Sequence, residues 1–238
     1  MKRTHIHIIK TVLTLQMLVW SLFSYGESKD VYLVFYATYN GKSGHIGLAI
    51  DNYKVVVKDT LDLQQRPISV YDTIPDGTLT YFDLWPQTDD FNINNLDKNL
   101  PAVYYKLPAA SWEKKITVKS LLKEGIPHEE HYPVDGLVRI KSTSIQDAKT
   151  KAFAEKLIHD NKPFNVRQYN CSDFVEQILE YHCQCSIEAE ESIVFRNSTT
   201  PNRLYLETLK LKMVSIIKSA GDKAKGSFTM ERLMKRNQ

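Results

Sequence analysis

The chain has 238 residues, enough for one domain of ordinary to generous size. With 42% hydrophobic and 25% charged residues it is neither a disordered polymer nor a collagen-like repeat, and three cysteines are too few for a disulfide framework. The net charge of +3 comes from the N-terminus: Lys2, Arg3 and Lys10 are three of the 31 basic residues, and the remaining 28 balance 28 acids. A neutral remainder lacks the basic footprint of a nucleic-acid binder, so no nucleic-acid partner is expected.

Met1 to Lys10 is basic, and Thr11 to Gly26 is uncharged with an apolar centre in Leu13, Leu15, Leu18, Val19, Trp20 and Leu22. Small residues, Ser24 and Gly26, close the segment. This pattern predicts a cleaved signal peptide over 1–26 and an exported, periplasmic or extracellular protein. Sixteen residues that include Thr, Gln and Ser are short for a membrane span, and no later run is apolar for about 18 residues. No stable span is therefore expected after cleavage.

In the remainder, strands are expected at Val31–Thr38, His45–Ile50, Tyr53–Lys58, Thr78–Leu84, Ala102–Leu107 and Gly136–Ile140, from their β-branched and aromatic content. Asp51-Asn52 reads as a turn. Helices are expected over Ser144–Asp160, with Ser144 as N-cap and Ile145, Ala148, Ala152, Phe153, Ala154 and Leu157 as its apolar stripe, then over Ser172–His182 and Tyr205–Lys218. Strands followed by helices predict an α+β domain over 27–219, an antiparallel sheet with helices packed against it. The basic stretch 220–238 is expected to be a mobile tail.

Two segments carry chemistry. In Tyr169-Asn170-Cys171-Ser172-Asp173-Phe174-Val175 a cysteine stands where a loop becomes an amphipathic helix. The free amides and dipole of a helix start favour a thiolate and can hold an oxyanion. The alternative is a buried structural cysteine. In Gly44-His45-Ile46-Gly47-Leu48-Ala49-Ile50 a histidine opens an otherwise apolar strand, where it is either a satisfied structural group or a base for a thiol.

NCSDFV resembles the DCSGFV motif of NlpC/P60-type papain-like cysteine hydrolases. Here the histidine precedes the cysteine by 126 residues, and that order resembles the circularly permuted branch, which includes lecithin–retinol acyltransferase-like proteins and bacterial envelope families. The resemblance spans Val31 to Leu179, and Asp173 stands where the commonest motif has glycine. It implies a permuted papain-like domain with Cys171 as nucleophile, His45 as general base and a polar residue on a neighbouring strand orienting the imidazole. Asp83 is the first choice for that third residue, because a carboxylate in an apolar strand needs a reason. Asp59, at the end of YKVVVKD, is the second; the family's usual spacing of about a dozen residues falls on Val57 instead.

Other candidates are weaker. His128-Glu129-Glu130-His131 resembles a zinc helix, but one residue too few separates its parts, and Pro127 and Pro133 oppose a helix. Cys183 and Cys185 are expected to be ordinary cysteines at a helix end, since a disulfide between residues two apart would be strained. The expected function is that of a cysteine peptidase or amidase without cofactor or metal, acting on an amide bond, with cell-wall peptides (peptidoglycan fragments) as the substrate the family implies. The rival readings are an acyltransferase or lipid-ester hydrolase with the same dyad, and an inactive envelope binding module.

Overall fold

A computed structural model describes residues 29–40, 42–62, 64–87, 96–108, 114–126, 132–193 and 196–227. The expected signal peptide, His128–His131 and residues 228–238 lie outside these. Strands β1 (Lys29–Tyr36), β2 (His45–Leu61), β3 (Pro67–Pro86), β4 (Ala102–Leu107), β5 (Gly136–Ser142) and β8 (Val214–Lys218) form one six-stranded sheet in the order β4-β3-β2-β1-β5-β8. Every pairing in it is antiparallel. The helices are α1 (Val118–Lys123), α2 (Ser144–Asp160), α3 (Cys171–Cys183) and α4 (Pro201–Thr208), and β6 (Glu190–Ile193) pairs with β7 (Arg196–Thr199) in a separate ribbon. The architecture is α+β. No described helix is long and apolar enough to cross a membrane.

Both faces of the central strands are covered, so β1 reads as a continuous apolar run rather than an alternating one. Val31, Leu33 and Phe35 pack with Phe174, Val175 and Ile178 of α3 in one core. Tyr32 and Val34 face the other way, into a second core with Tyr81, Leu121 and Val134. Residues two apart on a strand share a face, and β3 is sorted in the same way: Phe82 and Leu84 join the α3 core, while Tyr81 and Trp85 join the opposite one.

The structure departs from the sequence expectations at several places. Asp51-Asn52 is a bulge and not a turn, and the ladder continues from Tyr53↔Pro75 to Leu61↔Pro67. Asn52 spends its side chain across the ladder, donating to Thr78 Oγ1 (2.9 Å) and accepting from Thr80 Oγ1 (2.7 Å). The result is a two-stranded arm that leaves Val55, Val57, Leu61 and Tyr71 exposed on one face. On α2 the cap is Thr143, whose hydroxyl accepts from the Gln146 amide, so the helix is rotated relative to the expected stripe. Ala154 and Leu157 are buried, Ile145 is 70% exposed, and Asp147 is buried where Tyr53 and Ser142 donate to it.

The expected helix Tyr205–Lys218 is also incorrect. Helix α4 starts at Pro201 under a Thr200 cap and stops at Thr208. Val214–Lys218 then completes the sheet as β8 on the open edge of β5, where its branched residues suit a strand. Finally, α1 and the β6–β7 ribbon carried no sequence signal strong enough to be foreseen. The basic stretch begins with a 3-10 helix, Gly221–Lys225, which buries Ala224 in the core; Asn202 bonds to the carbonyls of Lys223 (3.3 Å) and Gly226 (2.6 Å).

Candidate active site

His45 is the first residue of β2 and pairs with Tyr36 of β1. The loop delivering it turns at Gly44, where φ is +71° and a Cβ would lie 2.5 Å from Thr38 Oγ1, so glycine is required. Cys171 is the first residue of α3. Asn170 caps that helix: its Oδ1 accepts from the amides of Ser172 (2.7 Å) and Asp173 (3.4 Å), while its Nδ2 donates to the carbonyls of Val166 (2.8 Å) and Thr199 (3.0 Å). The cap is thereby tied to β7, and the position of the thiol is set by it. Asp173, the departure from the family's glycine, closes a reciprocal capping box by accepting from the Asn170 amide at 2.8 Å. Burial raises the Asp173 carboxyl to about 6.

The His45 ring is buried and held from several sides. Its Nε2 lies 3.0 Å from Asp83 Oδ2, and the same oxygen accepts from Trp85 Nε1 at 2.9 Å. Trp85 also stacks on the imidazole, with centroids 4.1 Å apart and planes at 27°. The buried Tyr81 hydroxyl bears on Asp83 as well, and the carboxylate's charge adds to burial in holding that phenol neutral. Tyr81, Asp83 and Trp85 alternate along β3 and so present one face to the ring. Gly47 makes this possible, since a Cβ there would overlap the Tyr81 hydroxyl and ring.

With Nε2 committed to Asp83, Nδ1 is the nitrogen left for Cys171, which acts on the ring both as a charge and as a hydrogen-bond partner. Burial pushes the imidazole pKa down. The negative Cys171 sulfur, the bonds from Asp83 and Cys171 and the Asp83 charge outweigh it and lift the ring to about 9. A protonated imidazole beside Cys171 is the state this favours at neutral pH.

Of the four residues singled out from sequence, Cys171, His45 and Asp83 are brought together. Asp59 is not: it sits on the exposed arm, accepts from Ser69 Oγ at 2.7 Å, and is 14 residues along β2 from His45, roughly 45 Å of strand. Trp85 and Tyr81 complete the site without being foreseen from the sequence. Their spacing of two from Asp83 was the available signal.

A cavity of about 240 Å³ opens over Cys171 and His45, walled by Leu84, Trp85, Pro86, Phe164, Val166 and Ile193. Among the described residues that line it there is no lysine, arginine, aspartate or glutamate. No described group of three His, Cys, Asp or Glu side chains is placed to hold a metal ion.

The remaining cysteines correct the sequence expectation. Cys183 and Cys185 form a disulfide, and Cys171 is free. Gln184 between them takes the left-handed conformation (φ 51°) at the end of α3, which folds the chain back and brings the two Cα atoms to 5.2 Å, within the range a disulfide spans. No family model, curated protein or solved structure matches the chain.

Proposed function

We propose that this chain is an exported cysteine hydrolase of permuted papain-like architecture, cleaving an amide or related acyl bond. The observation that supports it best is the free Cys171 thiol at the start of α3, bearing on a His45 ring whose far nitrogen is held by Asp83. In this reading the Cys171 thiolate attacks the carbonyl carbon. The capping box occupies the Ser172 and Asp173 amides, so the Cys171 amide is the helix-start donor left for the oxyanion. His45 as imidazolium gives its proton to the departing amine, leaving an acyl-enzyme. Neutral His45 then takes a proton from water as it attacks the thioester, and the thiolate–imidazolium pair returns. Asp83 stays ionised and orients the ring.

The cavity walls favour the acyl-ester or acyl-transfer version of this chemistry over cell-wall peptides. Such peptides carry free carboxylates, which call for cationic partners, and apart from the catalytic His45 the described lining offers none. An uncharged apolar acyl group fits it. At about 30 Å³ for each group of water's size, 240 Å³ holds about eight non-hydrogen atoms.

The test is hydrolysis of p-nitrophenyl esters of increasing chain length alongside a muramyl peptide. The expected result is kcat/KM rising about fourfold per added methylene, the value of about 0.8 kcal/mol for burying one, until the cavity is full. Cys171→Ser and His45→Ala should lose the activity. Cleavage of an acyl anilide, whose amine must be protonated, should fall above about pH 9 as His45 loses its proton. If the muramyl peptide is cleaved and the esters are not, the cell-wall reading replaces this one. If neither is cleaved and iodoacetamide does not favour Cys171, the site is not an enzyme's.

A further inference from the structure

A second cavity, about 730 Å³, lies at the other end of α3, about 18 Å from Cys171 at 1.5 Å per residue. Its size is that of ligand sites in general. Cys183 and Cys185 form part of its wall and are only half-buried. Its charged lining is entirely cationic: Lys141, Lys210 and Lys212. Lys210 is paired with Glu207, while Lys141 and Lys212 are exposed and make no ion pair among the described residues. His182 adds no charge. Burial pushes it down to about 4, and its Nδ1 lies 2.9 Å from a Thr150 hydroxyl that itself donates to the Gln146 carbonyl. Nδ1 therefore carries the proton of a neutral ring.

We propose that the Cys183–Cys185 disulfide is a thiol–disulfide exchange site, taking an anionic thiol from this groove. The lysines favour the thiolate of the incoming group, which is the attacking species. It attacks Cys183. The sulfur–sulfur bond breaks, a mixed disulfide forms on Cys183, and Cys185 leaves as a thiolate that takes up the proton the incoming thiol released. The reverse choice places the leaving thiolate on Cys183, whose sulfur lies 3.8 Å from the Glu180 carbonyl oxygen at the negative end of α3. A second thiol then attacks the incoming group's sulfur in the mixed disulfide, and Cys183 leaves as a thiolate that takes up that thiol's proton; this step is the slower of the two, because Cys183 leaves at the negative end of α3. Two thiols leave as one disulfide, oxidised by two electrons, and Cys183 and Cys185 remain as two thiols.

The experiment uses the oxidised full chain carrying Cys171→Ser, so its outcome is independent of the hydrolase reading. It is mixed with N-acetylcysteine, quenched with iodoacetamide and mapped by mass spectrometry. The reference is an oxidised peptide of residues 180–188, which has the same ring and no groove. The expected result is an adduct on Cys183 with Cys185 alkylated, formed at least tenfold faster than in the peptide. Lys141→Gln with Lys212→Gln should bring the rate down to that of the peptide while the disulfide and melting temperature persist. Raising the salt concentration should slow the unmodified groove but not the peptide, whose Glu180 and Glu188 repel the anionic thiol until salt screens them. A rate no faster than the peptide's, an adduct on Cys185, or indifference to both the lysines and salt would overturn the proposal and leave the disulfide as a clasp on the end of α3.

Discussion

Replacing Asp83 by asparagine separates the charge at the site from its shape. Asp83 is fully buried and its Oδ2 receives both His45 Nε2 and Trp85 Nε1. Asparagine has nearly the same volume and keeps one carbonyl oxygen for those two donors, so the ring stays in place. The negative charge is lost. A hydrogen bond to a charged group contributes about 1.5–3 kcal/mol against about 0.5–1.5 for a neutral one, so the imidazolium loses roughly 2 kcal/mol when the Coulombic share is included. Burial continues to oppose its charge. At 1.4 kcal/mol per factor of ten, the ratio of thiolate–imidazolium to neutral pair falls by about thirtyfold. Folding stability changes less, because removing a buried charge offsets part of the lost bonding. The assay is the rate of Cys171 alkylation by iodoacetamide from pH 6 to 9, alongside a thermal melt. Asp83→Asn should label about ten to thirty times more slowly near pH 7 with a melt close to that of the parent. Asp59→Asn, on the exposed arm, should match the parent in both. Parental labelling by Asp83→Asn across that pH range would refute the reasoning, because His45 would then not depend on Asp83 for its charge.

Three further outcomes follow from the packing and the buried charges. Gly47→Ala places a methyl group into the fully buried Tyr81 ring and should cost about 1–3 kcal/mol as overpacking; Tyr81→Leu in the same chain should recover part of it in a denaturant titration. Leu157→Ala should cost about 2–5 kcal/mol and Ile145→Ala less than about 0.5, because α2 buries the first and exposes the second; equal costs would mean the helix face is misassigned. Burial, with the charges of Asp30 and Asp147, lifts Asp51 to about 7 against the bond it accepts from the Asp30 amide. Its folded pKa being the higher one, the stability it confers is complete below about pH 4 and is lost as the pH rises through about 7. Asp51→Asn should therefore flatten the fall in melting temperature across that range.

Much of the site was legible as local pattern. Cys171 is marked by the polar loop that becomes an amphipathic helix, and His45 by being the one polar residue at the mouth of an apolar strand. Asp83 is marked by being a carboxylate among Tyr81, Phe82, Leu84 and Trp85. Each is a conflict between a residue and its immediate neighbours, and such conflicts are visible without a fold. The strands β1, β4 and β5 and the presence of helices α2 and α3 were similarly visible, because hydrophobic pattern is a property of nearby residues, whereas the cap and the buried face of α2 were not.

Pairing and partners were decided elsewhere. Val214–Lys218 suits a helix or a strand until the open edge of β5 is present to receive it. Asn52 is a turn former until Thr78 and Thr80 stand across the ladder. Cys183 and Cys185 meet because Gln184 reverses the chain, a backbone choice that their spacing does not reveal. Asp83 and Asp59 are both carboxylates within strands. One lies 3.0 Å from His45 and the other far along an arm, because register and a bulge place the length of β2 between them. Propensity and period act over a few bonds, whereas these outcomes depend on contacts between residues tens to more than a hundred positions apart, which no window of the sequence contains.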